Sequence, residues 1–108
     1  MNIIVKKNYL YIDQFKLKCA VGKGGITSNK IEGDGCTPKG KYQIGKIYYR
    51  KDRVSKPMVS LDKIIIRKDS GWCDDPDSIF YNKRIKIKKN NNFKIEKLYR
   101  SDSKYNYI

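Results

Sequence analysis

The chain has 108 residues and a formal charge of +14, from 25 Lys and Arg against 11 Asp and Glu, and 39% of its residues are hydrophobic. That length allows one domain with a thin core, since chains of this size bury about 60–70% of the surface that their unfolded form exposes. Histidine is absent, so Ser-His-Asp, Cys-His and His-zinc chemistry cannot be carried by these residues alone.

Period-2 alternation, the mark of β-strands, dominates from the start. Ile3 to Val5 and Tyr9 to Ile12 flank Lys6-Lys7-Asn8, which reads as a hairpin turn. Phe15, Leu17, Cys19 and Val21 then alternate with Lys16, Lys18 and Ala20, the pattern of a half-buried strand with Cys19 on its apolar face. From Gly22 to Gly40 the chain is rich in glycine and holds Pro38, so a long loop is expected. Lys41 to Arg50, with Tyr42, Ile44 and Tyr48, suggests a strand interrupted at Gly45, and Val59 to Arg67 a strand around Ile64-Ile65-Ile66. Asp69 to Asn82 reads as irregular, Ile85 and Ile87 as a strand closed by Asn90-Asn91-Asn92. Lys94 to Tyr107 mixes helical spacing, at Ile95, Leu98 and Tyr99, with β-rich surroundings. The expectation is a mainly β fold with at most one short helix.

No uncharged apolar stretch approaches the ~20 residues of a membrane-spanning helix. Residues Met1 to Lys7 place their apolar side chains before their charges, the reverse of a signal peptide. The three cysteines share no CxxC spacing, so free structural thiols are expected rather than a disulfide framework or a zinc site. Cys36 lies among polar loop residues near Lys30 and Lys39, but with no histidine as its base the inert reading is preferred. Asp74, Asp75 and Asp77 lack the spacing and closing Glu of a calcium loop and read as an Asp/Pro turn with Trp72 packed on the core. No metal and no cofactor is expected.

A charge of +14 makes a polyanion the first partner to consider. Nine basic residues fall between Lys83 and Lys104, interleaved with aromatics, as in single-strand binders. Yet 20 of the 25 basic residues are Lys, and Lys, Ile, Asn and Tyr share A- and T-rich codons, so biased base composition would yield the same excess. Lys alternating with Ile is also how a solvated β face looks, and nucleic acid is therefore not the preferred partner.

The most specific stretch is Lys30-Ile31-Glu32-Gly33-Asp34-Gly35-Cys36-Thr37-Pro38-Lys39-Gly40, in which carboxylates can accept hydrogen bonds from loop N–H groups. Lys30-x-Glu32-Gly33-Asp34-Gly35-x-Thr37-Pro38-x-Gly40-x-Tyr42, with Tyr49-Arg50-x-Asp52-Arg53, Gly71-Trp72-Cys73-Asp74-Asp75-Pro76 and Tyr81-Asn82, resembles the L,D-transpeptidase catalytic-domain family, the YkuD-like or ErfK/YbiS-type proteins. The resemblance runs from about Lys18 to the C-terminus. It implies a mainly β, sandwich-like domain in the cell envelope that acts on peptidoglycan stem peptides. In that family a Cys nucleophile attacks the carbonyl of a diamino-acid residue in a tetrapeptide stem, and the acyl group passes to an amine on a neighbouring stem. A His acts as base and backbone N–H groups hold the oxyanion.

The family's catalytic His and Gly-Cys motif have no counterpart among these residues, so no catalytic residue carries over. The expectation is residues 1–108 as one partial domain, the N-terminal larger part of the family's, incomplete at its C-terminus and inactive alone. A truncated enzyme is preferred over a split protein completed by a segment that supplies His and Gly-Cys, or a degenerate binding relic. Unpaired sheet edges and a tendency to associate would follow. Lys30, Glu32, Asp34, Thr37, Trp72, Tyr81 and Asn82 are the candidates for the substrate-side loops. The alternative is a small basic module, without catalysis, that binds nucleic acid or an anionic cell-wall polymer.

Overall fold

Ten strands and no helix make up the chain, and the mainly β expectation holds. The computed structural model describes residues 1–108, and no helix is long and apolar enough to cross a membrane. Two units divide the chain, Met1–Tyr42 and Gln43–Ile108.

In the first unit β1 (Ile3–Lys6), β2 (Tyr9–Ile12) and β3 (Phe15–Lys18) form an antiparallel sheet in sequential order. Two-residue turns join them, with Lys7 and Asp13 in the left-handed region at φ 54° and 47°. The register places Ile3, Ile12 and Phe15 in one cross-strand row and Val5, Leu10 and Leu17 in the next, so one face is wholly apolar. The other face carries Ile4 among Lys and Tyr, and the Lys16 ammonium lies 4.3 Å from the centre of the Tyr9 ring. The expected half-burial does not occur: Phe15 is 56% and Leu17 53% exposed, and the strand ends at Lys18, before Cys19. The glycine-rich stretch is not wholly irregular either. Within it β4 (Ile26–Thr27) pairs in parallel with β5 (Thr37–Pro38).

The second unit holds every buried core side chain: Tyr49, Ile66, Cys73 and Leu98. Here β6 (Ile47–Tyr49) runs parallel to β7 (Lys63–Ile65), while β8 (Ser70–Cys73) lies between β10 (Ile95–Lys97) and β9 (Arg84–Lys86), antiparallel to both. Three expectations are corrected. The strand expected over Lys41–Arg50 is only Ile47–Tyr49, with Tyr42 and Ile44 exposed outside it. Asp69–Asn82, read as irregular, contains β8, the central strand of its sheet. The helical spacing after Lys94 yields to β pairing, because Ile95, Glu96 and Lys97 face Cys73, Trp72 and Gly71 across the sheet.

Gly71 explains why β8 does not look like a strand. A Cβ there would stand 2.6 Å from Ile95 Cγ2 and 2.9 Å from Ile87 Cγ1, so the close packing of those isoleucines over the backbone requires glycine. Burial of the apolar side chains on this sheet is the source of the unit's stability, at about 25 cal/mol per Å² removed from water.

The C-terminal tail is clamped to the same unit. Tyr48 and Ile108 exchange backbone hydrogen bonds of 2.8 and 2.9 Å, and Arg50 N donates to Asn106 O. Arg50 is 2% exposed. Its guanidinium donates twice to Asp52 at 2.8 Å, donates to Arg100 O, and lies 3.5 Å from the centre of the Tyr99 ring. The Arg50 pair holds the Asp52 carboxyl well below the usual carboxylate range. Arg53 reaches the carbonyls of Arg100, Ser101 and Asp102. The motif Tyr49-Arg50-x-Asp52-Arg53 is thus a structural clamp.

Candidate functional site

Within Gln43–Ile108 an open cleft of about 430 Å³ lies beside Trp72, lined also by Lys46, Tyr48, Glu96, Leu98 and Tyr105. Trp72 stands on the central strand, which pairs it with Glu96 on β10 and with Arg84 on β9. One row across the sheet therefore sets an indole between a carboxylate and a guanidinium. Tyr48, at the middle of β6, meets Trp72 edge to face, with ring centres 6.2 Å apart and planes at 85°.

The indole is fixed from its other end. Asn82 N donates to Cys73 O, and Cys73 N donates to Lys83 O, tying the turn after residue 81 to the end of β8. Asn82 has φ 58°, a conformation that Asn tolerates better than most residues. Its side-chain oxygen then accepts a 3.1 Å hydrogen bond from Trp72 Nε1. The acidic stretch before it is a turn, as expected from its Asp and Pro: Asp75 accepts from the backbone N–H groups of Asp77 and Lys94. Trp72 itself is half-buried in the wall of the cleft rather than sealed in the core.

The polar end of the cleft is the pair Tyr105–Glu96. The Tyr105 hydroxyl donates a short hydrogen bond to Glu96 Oε1. The carboxylate, together with partial burial, pushes the Tyr105 phenol above its usual value, so the hydroxyl keeps its proton and remains a donor. Tyr105 has φ 60°, a strained conformation for a bulky residue. The clamp on the tail, through Arg50 and Asn106 on one side and Tyr48 and Ile108 on the other, holds it there. The result is two aromatic walls, an aliphatic patch at Leu98, a carboxylate with one oxygen committed to Tyr105, and the exposed Lys46 ammonium at the rim. Aromatic walls suit an apolar stem, and a carboxylate with one uncommitted oxygen suits a cation such as an amine. The residues that line it include no cysteine and no serine, and no group of His, Cys, Asp and Glu in the chain is placed to hold a metal ion.

Of the sequence candidates, Trp72 lines this cleft, Asn82 lies outside the lining and holds the indole through its side-chain oxygen, and Tyr81 sits exposed in the adjoining turn. Lys30, Glu32, Asp34 and Thr37 lie in the other unit, where the geometry is that of a braced loop. Asp34 pairs with Lys30 and accepts from the N–H groups of Ile31 at 2.9 Å and Cys36 at 2.8 Å. These donors lower its pKa from 3.8 to about 2, the Lys30 hydrogen bond contributing most. Thr37 Oγ1 accepts from Gly22 N at 2.8 Å, which draws the two ends of the loop together. Glu32 is exposed at the tip. Lys46, Tyr48, Glu96 and Tyr105 are not among the sequence candidates for the substrate side. The available signal was Glu96, one of only two acids among the nine basic residues from Lys83 to Lys104.

The three thiols are free. Cys73 is fully buried, and Cys36 Sγ contacts the Asp34 carbonyl at 3.6 Å.

Compared with known proteins, residues 3–107 match the model of one family, YkuD, described as the L,D-transpeptidase catalytic domain. No curated protein and no solved structure matches.

Proposed function

This chain belongs to the L,D-transpeptidase catalytic-domain family, and we propose that its Gln43–Ile108 unit binds a peptidoglycan stem peptide through the amine of a diamino-acid residue. The observation that carries this reading is the Glu96 carboxylate, oriented by Tyr105 and set beside Trp72 and Tyr48 in an open cleft. The carboxylate takes the ammonium, the aromatic walls take the methylene stem, and Lys46 faces a terminal carboxylate of the peptide. In the family reaction a thiolate attacks the stem carbonyl, the leaving amine departs with a proton, and the thioester carbon is then attacked by an acceptor amine. These 108 residues contribute the binding surface. With no histidine present, Cys73 buried and Cys36 turned onto a backbone carbonyl, we assign neither the nucleophile nor its base to these residues. The chain alone then has no transpeptidase activity.

Trp72 is the only tryptophan, so its fluorescence reports the cleft directly. Titration with a tetrapeptide stem bearing a free side-chain amine is expected to give saturable quenching. Glu96→Gln weakens binding about tenfold, the size of one charge-assisted hydrogen bond. N-acetylation of the side-chain amine weakens it equally. Equal affinity for free and acetylated stems would sink the reading. An acyl adduct on the 108-residue chain, seen by intact mass, would place the nucleophile among Cys19, Cys36 and Cys73 and overturn the assignment of the surface as binding only.

A further inference from the structure

A second, larger groove, of about 510 Å³, opens between β7 and β9 and is lined by Lys63, Arg67, Asp69, Ser70, Arg84 and Lys86, with isoleucines completing it. Four cations thus face one carboxylate. That carboxylate is already engaged, since Lys86 Nζ lies 3.4 Å from Asp69 Oδ2. Lys63 turns its ammonium onto the carbonyls of Val59 and Leu61. Arg67 and Arg84 differ from both: neither guanidinium has a carboxylate or carbonyl partner, while Arg50, Arg53 and Arg100, the other three arginines, are all committed to the tail clamp.

The position of Arg67 is built. Arg67 N donates to Ser70 Oγ at 2.9 Å, and Ser70 N donates back to Arg67 O at 2.9 Å. Ser70 is buried at the start of β8 and leaves its hydroxyl proton as a further donor. Arg84 is fixed by the pairing of β9 with Trp72 on the central strand. Guanidiniums without a carboxylate partner at two places along one groove suit a chain of tetrahedral phosphodiesters, each with two non-bridging oxygens, better than a single planar carboxylate, whose edge one guanidinium fills. No aromatic residue lines the groove, so nothing there stacks a nucleobase.

We propose that this groove binds a linear phosphodiester polymer without bases, a polyol phosphate, through Arg67 and Arg84. The groove shares no lining residue with the stem-peptide cleft, although Arg84 neighbours Trp72 across the sheet. It also localises a partner that the charge of +14 leaves diffuse.

The test is binding of fluorescently labelled poly(glycerol phosphate) at about 50 and about 200 mM salt, where phosphate contacts are strongly weakened. The double variant Arg67→Gln/Arg84→Gln is expected to lose about tenfold or more at low salt and to reduce the slope of log affinity against log salt by about 2, near 1 per phosphate contact. The control Lys51→Gln/Lys56→Gln removes the same charge from exposed positions elsewhere in the unit and should lose less than about twofold. Arg67→Lys/Arg84→Lys keeps the charge but not the fork, and an intermediate loss is expected, which separates recognition from folding. Equal losses in the two Gln double variants would show that only net charge is read, and would overturn the proposal. So would tighter binding of oligo(dT) of matched charge, which would make the partner a nucleic acid, or equal binding of poly-glutamate, which would remove the preference for phosphate.

Discussion

The sheet β1-β2-β3 and the sheet β10-β8-β9 have the same size and the same antiparallel pairing, yet they relate to their sequences in opposite ways. The first contains the cleanly alternating Phe15–Lys18, turns through two residues at each hairpin, and places six apolar side chains on one face. None of its strands is buried. The second is built around Ser70-Gly71-Trp72-Cys73, followed by an Asp/Pro turn, and has the most deeply buried strand of the chain. Alternation reports that a segment pairs with neighbours of matching period; it does not report what covers the resulting face. Burial depends on which distant segments cross the strand, and Gly71 marks that crossing because three isoleucine side chains need the space of its missing Cβ.

The contrast is broken most directly in the second unit. Leu98 is 3% exposed, and Leu98→Ala is expected to cost about 3 kcal/mol through lost burial and the cavity left behind. Leu17→Ser, in the exposed sheet, should stay within about 0.5 kcal/mol. Urea denaturation of both variants checks this, and comparable losses would mean that the apolar face of β1-β2-β3 is covered in solution. Gly71→Ala comes next. Ile95, Ile87 and Ile85 must shift to admit one methyl group, at a cost of about 1–3 kcal/mol as for other overpacked sites. Calorimetry would show this as a drop of several degrees, since 1 kcal/mol corresponds to about 4–8 °C in a domain of this size. A neutral Gly71→Ala would mean that the sheet yields more easily than its packing implies.

The same division explains what was legible. The β1–β2 hairpin and the alternation from Phe15 are legible in Ile3 to Lys18 alone, because every contact that sets their register is between neighbours in sequence, whereas the second turn, Asp13-Gln14, carries no Gly or Pro to announce it. The strand β8 was hidden because Gly71 and the nearby Asp74-Asp75-Pro76 carry the signature of a turn, and only the long-range pairing with Ile95–Lys97 overrides it. The cleft was half visible for the same reason. Trp72 and Asn82 stand out as residue types in a short segment, but Glu96 and Tyr105 join them through register and the tail clamp, neither of which has a local signal. The loop from Lys30 to Thr37 was conspicuous for its motif, and its geometry is that of a brace: the hydrogen bonds of Asp34 and Thr37 go to the loop's own backbone and to Lys30.

The brace gives the smallest and most local prediction. Asp34 has a folded pKa near 2 against an ordinary 3.8, so its charged form is favoured by folding. The stability it contributes is fully present above about pH 4, where the unfolded carboxyl is also ionised, and is lost as pH falls through the folded value. Between pH 4 and pH 2 the wild type should therefore lose stability that Asp34→Asn does not lose. Asp52 and Asp102, also depressed by arginine partners, lie in the other unit and titrate in both proteins. Global unfolding mixes these contributions, so the decisive measurement is local. The amide resonances of Ile31 and Cys36, whose N–H groups donate to the Asp34 carboxylate, should shift together with a midpoint near pH 2 in the wild type and show no such titration in Asp34→Asn. A midpoint close to 4 would mean that the Lys30 pair and the two amide donors are not held in solution, and the loop would then be an open surface available to a ligand instead of a closed brace.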